Sequence, residues 1–163
     1  MNPADITFRL ASATDAPLLR RALLQNANAV HPGTVDAADI DANWRYRRYV
    51  DGFPDAHDFG VVAEQEGNPA GIVWARFSSE ADPSPGWVND DIPEVTICVF
   101  EGQRGLGIGH DLLMEIEKEA LRRGFRALSL WVEEGNRSRR LYQRSGFLPA
   151  HGVYDSGTMM KKL

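Results

Sequence analysis

Arg104-Gly105-Leu106-Gly107-Ile108-Gly109 sets three glycines at alternate positions directly behind an arginine. A β-branched run, Glu94-Val95-Thr96-Ile97-Cys98-Val99-Phe100, precedes them, and an apolar pattern of helical period follows. A strand, a glycine-rich turn and a helix start together make an anion site. The first N–H groups of a helix have no partner inside it, and the helix dipole favours negative charge there. Glycine lets an anion come close to the main chain, and Arg104 adds a charge-assisted contact. The expected anion is a phosphate or pyrophosphate. Two familiar phosphate loops do not fit. A Walker loop ends in Gly-Lys-Ser/Thr, whereas this turn continues Gly109-His110-Asp111. A dinucleotide fingerprint needs a third glycine three residues after the second, and counting from Gly105 and Gly107 that position is His110.

Other reactive side chains are few. Cys98 is the one cysteine, so no internal disulfide forms. No activating base or cation stands near it in sequence, and it reads as a small packing residue of a strand. His31, His57, His110 and His151 have no metal-ligand spacing, so no metal is expected. Charge is laid unevenly. Residues 77–103 hold six acids, among them Asp90, Asp91 and Glu94, and no Lys or Arg, whereas residues 104–144 hold nine basic residues against six acids. This reads either as two differently solvated faces or as a site with a negative and a positive end. Trp44, Tyr46, Tyr49 and Trp87 are either core or the lining of a pocket. Trp87 lies in a proline-rich loop, which favours the pocket for it.

The elements that must carry these residues follow from periodicity. Residues 6–11 alternate as a short strand. Thr14 and Asp15 cap a helix over about 15–29, with Leu18, Leu19, Ala22 and Leu23 inward. A second helix is expected over 37–50. Two strands around the turn Glu66-Gly67-Asn68-Pro69 form a hairpin. The loop 80–93, with three prolines, has the length of a functional loop. After the glycine turn comes a helix with Ile108, Leu112, Leu113, Ile116 and Ala120 on one face, ended by Gly124. Then come a strand at 126–132, a short helix opened by Asn136, and two final strands at 147–154 and 157–163. The expected order is βααβββαβαββ, one α/β (α+β) domain over 1–163 around a mixed sheet. The 163 residues are 43% hydrophobic and 25% charged, as in an ordinary globular protein. No run is long and apolar enough to span a bilayer, and the N-terminus lacks a signal-peptide core, so the expected location is the cytoplasm. A net charge of −5 argues against nucleic acid.

The glycine segment resembles the acyl-CoA signature of the GNAT superfamily of N-acyltransferases, Gln/Arg-x-x-Gly-x-Gly/Ala. "EVTICVF" resembles the strand before that signature. "LWVEEGNRSRRLYQRSGF" resembles the family's second cofactor segment, where an Asn opens a short helix that carries a Tyr before Gly-Phe. The resemblance is good over about 94–147 and fits the element order elsewhere. It implies a mostly antiparallel sheet with a bulged central strand splayed from its neighbour, and helices on both faces. Acetyl-CoA would lie in the resulting V as co-substrate. Backbone groups near Ile97, Cys98 and Val99 would bond its pantetheine arm, and the amides of Arg104 to Gly109 would hold its pyrophosphate, with Asn136 at the second segment. A free strand N–H near Val99 would face the oxyanion if the strand is bulged. Tyr142 would be the general acid for the departing thiolate. Glu94, at the start of the strand, reads either as a surface carboxylate or as the base.

The expected activity is acetyl transfer to a primary amine of a small cationic acceptor, by direct attack in a ternary complex. Trp44, Trp87, Asp90 and Asp91 would meet that acceptor. One alternative is a protein N-terminal or lysine amine, and another is a non-catalytic acyl-CoA sensor. A homodimer is left open, and no membrane partner is expected.

Overall fold

The computed structural model describes residues 5–153 and 155–163. Tyr154, in the penultimate expected strand, lies outside them. Seven strands form one sheet: β1 (Ile6–Leu10), β2 (Phe59–Gln65), β3 (Asn68–Arg76), β4 (Glu94–Val99), β5 (Ala127–Trp131), β6 (Leu148–Pro149) and β7 (Thr158–Lys162). Their spatial order is β1-β2-β3-β4-β5-β7-β6. Only β4 and β5 run parallel, and every other neighbouring pair is antiparallel.

Five α-helices cover the sheet: α1 (Ala16–Ala27), α2 (Ala37–Ala42), α3 (Trp44–Arg47), α4 (Ile108–Arg122) and α5 (Arg139–Arg144). The helix expected over 37–50 is broken in two. Asn43 is extended, and its side chain caps α3 by accepting the Arg45 N–H. Asparagine competes with helix in this way by bonding the backbone ahead of it. The first of the final strands shrinks to Leu148 and Pro149.

Strand alternation sends side chains to two cores. Val95 and Ile97 of β4 join Ile108, Leu112, Leu113 and Ile116 of α4. Cys98 and Phe100 join Leu19, Ala22 and Leu23 of α1 on the other face. Helix α4 buries the apolar stripe read from its sequence, together with Gly109. It ends in a Schellman turn, with Gly124 at φ +91° and the Phe125 N–H on the Ala120 carbonyl.

The pairing of β4 decides the site. Against β3 its register is continuous, from Glu94 opposite Arg76 to Val99 opposite Gly71. Against β5 it makes a single register pair, Glu94 with Ser129. Beyond that pair the two strands part. The expected bulge in β4 is absent. The register shift lies in β2, between Ala63 and Glu64.

Candidate functional site

Pairing of β4 with β3 settles which backbone groups face the opening. Opposed residues of antiparallel strands alternate between bonded and non-bonded pairs. The Phe100 N–H donates to Ala70 across β3. Cys98, Thr96 and Glu94 therefore turn their main-chain groups to β3, while Val95, Ile97 and Val99 turn theirs to the open side. No bulge is needed to free an N–H there. The carbonyls on that edge are already held. Gln25 Nε2 donates to Val99 O at 2.8 Å, and Asn26 Nδ2 donates to Ile97 O at 2.9 Å. Among the described residues the open edge thus leaves the N–H groups of Ile97 and Val99 unpaired, while the end of α1 closes its carbonyls. The Gln25 and Asn26 side chains were not foreseen from sequence. A Gln-Asn pair ending an apolar-faced helix is the only signal, and it is a weak one.

The turn after β4 has the form of an anion cradle. Gly105 and Gly107 lie at φ +78° and +80°, in the left-handed region. A Cβ at either would meet nothing within 4 Å, so the space over the turn is open. Gly107 is the N-cap of α4 and no side chain caps the helix, which leaves its first N–H groups free. Gly109 has another role. A Cβ there would sit 2.9 Å from Leu141 Cδ2, so glycine lets α4 pack against α5. Arg104 and Leu106 are exposed on the same turn. On α5 and just before it, Arg137, Arg140 and Arg144 are exposed. Asn136 accepts the Ser138 N–H at 2.9 Å and shapes the entry to that helix. Free N–H groups, open space and nearby cations fit a pyrophosphate.

Glu94 is buried where β4 and β5 part, 7% exposed. Its Oε1 accepts the Tyr49 hydroxyl at 3.0 Å, and its Oε2 accepts the Ser84 hydroxyl. The Gly86 N–H also bonds this carboxyl. A Cβ on Gly86 would fall 2.5 Å from Glu94 Cδ, so only glycine admits the loop this close. Burial pushes the carboxyl pKa up, and the Ser84 and Tyr49 donors and the Arg48 charge act against it. The surface alternative for Glu94 is therefore excluded. The loop over it is held at two points. Arg48 donates to the carbonyls of Asp82 and Pro83 at 2.8 and 3.3 Å, and Thr158 Oγ1 donates to Pro85 O at 2.6 Å. Ser84, Gly86 and the bonding role of Tyr49 were not readable in sequence, because an irregular loop has no period to show which side chains turn inward and Tyr49 lies 45 residues from Glu94.

The other expected residues scatter around this centre. Tyr142 is buried in the cluster that contains Ile97, on the sheet face opposite Cys98. Its ring meets Phe147 edge-on at 6.3 Å. Burial pushes its hydroxyl up to about 12, with Ser138 acting the other way. Burial also pushes the Cys98 thiol up to about 12, against the charges of Arg104 and Arg21. Such a thiol is not a ready nucleophile. Trp44 is half exposed and lines an open groove of about 450 Å³ with Thr34, Val35, Asp39, Ala42, Asn43 and Tyr46. Trp87 donates its indole N–H to Asp90 Oδ1 at 3.0 Å, and the same oxygen accepts the Glu80 N–H at 2.9 Å. Asp90 thereby folds the loop. Asp91 is exposed beside it. The acid-only stretch is not a uniform acidic wall, since Glu94 is buried and Asp82 meets Arg48 at 3.5 Å. Among the described residues no group of three or more His, Cys, Asp or Glu is placed to hold a metal, and no helix is long and apolar enough to cross a membrane.

Comparison with known proteins bears on this arrangement. The model of the acetyltransferase (GNAT) family matches residues 22–147. No curated protein matches the chain. Solved structures do. PaiA N-acetyltransferase from Thermoplasma acidophilum, in complex with coenzyme A, aligns with a TM-score of 0.68 at 16% identity, over 97% of this chain and 99% of its own. The ribosomal-protein-alanine N-acetyltransferase from Brucella melitensis aligns at 0.60 and 25% identity, over 96% and 99%. YncA from Salmonella typhimurium, solved with its cofactor acetyl-CoA, aligns at 0.62 and 22% identity, over 98% and 94%.

Proposed function

The chain belongs to the acetyltransferase (GNAT) family and is an acetyl-CoA-dependent N-acetyltransferase, and from that premise we propose that it acetylates the primary amine of a small cationic acceptor by direct attack in a ternary complex. The observation that carries this reading is the buried Glu94 carboxyl at the point where β4 and β5 part. Holding both reactants on one scaffold makes the step effectively intramolecular. Bound acetyl-CoA supplies an acyl group already activated as a thioester. The turn from Arg104 to Gly109 and the end of α5 hold its phosphates.

An alkylamine with a reference pKa of roughly 10.4 enters as an ammonium and must lose a proton before it attacks. Glu94 takes that proton, directly or through one water. Its raised pKa makes it a stronger base than an exposed carboxylate. The N–H groups of Ile97 and Val99 donate to the acyl oxygen as charge develops on it. Tyr142 gives a proton to the leaving sulfur, and the second proton lost by the nitrogen of the adduct makes good the one Tyr142 gave. Its high pKa keeps the phenol protonated at neutral pH. No acyl-enzyme forms at Cys98, whose thiol is buried and neutral.

The groove beside Trp44 and the loop carrying Trp87 and Asp91 receive the acceptor. In the same reading, residues 1–163 are one catalytic domain working in the cytoplasm. A second acceptor, the N-terminal amine of a protein, is favoured by the openness of the Trp44 groove and by the likeness to a ribosomal-protein-alanine N-acetyltransferase. Turnover of acetyl-CoA against polyamines, amino acids, aminoglycosides and alanyl peptides separates the two. A polyamine or aminoglycoside should be preferred, with KM rising in salt and rising further in Asp91→Asn. A best acceptor that is neutral or anionic overturns the cationic assignment, and preference for alanyl peptides establishes the second reading.

A further inference from the structure

Amide formation from an ammonium and a thioester releases one proton per turnover. If Glu94 takes that proton, it must be discharged before the next cycle, and Glu94 is buried under the loop that contains Ser84. Two side chains touch its carboxyl oxygens. Among the described residues, the Tyr49 hydroxyl hydrogen-bonds only Glu94. Ser84 does have an onward partner. Its Oγ lies 2.9 Å from Ser78 Oγ, and its N–H donates to the same Ser78 oxygen at 3.1 Å. Ser84 is buried and Ser78 is only half-buried. The three groups therefore form a line from the buried carboxyl toward the surface.

We propose that Ser84 and Ser78 are a hydroxyl relay that carries the proton from Glu94 to solvent; this rests on Glu94 being the base. The bonds balance. The ammonium N–H breaks and a Glu94 O–H forms. The Glu94 proton then passes to Ser84 Oγ as the proton of Ser84 passes to Ser78 Oγ, and that of Ser78 passes to water. Each hydroxyl loses one proton and gains one, and no electrons are transferred. The hydrogen-bond directions describe the state after export. An ionised Glu94 can only accept, so Ser84 donates to it. Ser84 Oγ then has its proton committed and accepts that of Ser78. The Ser84 N–H on Ser78 fixes the spacing of the pair, so both hydroxyls stay in line. Groups facing Glu94 from other elements are Tyr49 and Arg48, and Asp155 acts on Tyr49. Among the described residues none of these leads onward as a neutral donor–acceptor chain.

The test uses the full-length protein with acetyl-CoA and the panel amine of highest turnover. Ser78→Ala removes the outer hydroxyl without touching Glu94. Its kcat should fall about tenfold, a modest part of the usual range for proton-transfer catalysis. Raising the concentration of imidazole buffer at fixed pH and ionic strength should restore it, while the native enzyme stays independent of buffer. Ser84→Ala should behave likewise and also shift the acid limb of the kcat/KM profile to higher pH, because a donor to the ionised carboxyl is lost. Ser84→Thr should keep near-native kcat. A Ser78→Ala enzyme at native kcat overturns the relay, and so does a slow one that no buffer rescues. Glu94→Gln keeps the two readings apart. If it is inactive while both alanine variants are native, only the relay fails; if it is fully active, the base fails and the relay with it. Carboxyl ¹³C titration of the free protein gives a check without an acceptor. Ser84→Ala should raise the Glu94 midpoint, and an unmoved midpoint overturns the contact on which the relay depends.

Discussion

In the proposed site the cofactor half relies chiefly on main chain, with arginines around it, and the acceptor half on side chains. In the first half the turn 104–109 and the edge of β4 offer N–H groups, and the residues that matter are glycines whose value is the absence of a Cβ. In the second, Glu94 is held by Tyr49 and Ser84, and Arg48 and Thr158 clamp the loop. Main-chain recognition is available to any sequence that makes the turn, so it suits a co-substrate shared across a family. Side-chain recognition changes with single substitutions, so it suits an acceptor that differs from one relative to the next.

The sharpest way to break this division is Glu94→Gln. It should lower kcat/KM by about 10³-fold, within the usual span of general-base effects, and leave the CoA dissociation constant unchanged. The acid limb of the native profile should lie above the ordinary glutamate value of roughly 4.3, because burial raises this carboxyl and the base must be ionised to act. The limb should vanish in the variant. A parallel loss of CoA affinity would show that the two halves are not separable.

Tyr142→Phe should lower kcat by about 10²-fold, the low end of that span, since a thiolate is already a moderate leaving group. With its hydroxyl pushed up to about 12, Tyr142 should contribute no basic limb near neutrality. Equal kcat values for both proteins across the pH range would leave Tyr142 a packing residue.

Gly107→Val attacks the main-chain half. At φ +80° a side chain costs about 1–2 kcal/mol, and the turn relieves that strain by moving its N–H groups. CoA should bind about tenfold more weakly by calorimetry, a loss of about 1.4 kcal/mol, in a protein whose circular dichroism is native. Unchanged affinity would remove the turn from the cofactor site.

Cys98→Ala should have the smallest effect on catalysis. It should keep most of the kcat, and double-reciprocal plots should intersect for both proteins. Parallel plots with an isolable acetyl-cysteine would overturn direct transfer.

What the sequence alone decided is local. The stripe Ile108, Leu112, Leu113, Ile116 and Ala120 marked the buried face of α4, because helical period and burial are linked at short range. Gly124 marked its end, and the alternate glycines marked the turn, because backbone conformations closed to other residues show in sequence as glycine. The element order around one mixed sheet followed from the same patterns, while helices on both of its faces came from the family resemblance. The break at Asn43 was missed, since the capping bond of one asparagine competes with an otherwise continuous helical pattern.

Tertiary structure decided the rest. Glu94 could be read as a strand-end carboxylate or as a base, and only the loop folded over it, through Ser84 and Gly86, buried it. Gln25 and Asn26 meet Val99 and Ile97 across more than seventy residues of chain. No period or spacing records such a contact, because its energy comes from groups brought together by the packing of α1 on the sheet. The expected bulge was unnecessary for the same reason. One register pair between β4 and β5, followed by divergence, frees the N–H groups of Ile97 and Val99, and divergence is a property of two strands that neither one encodes by itself.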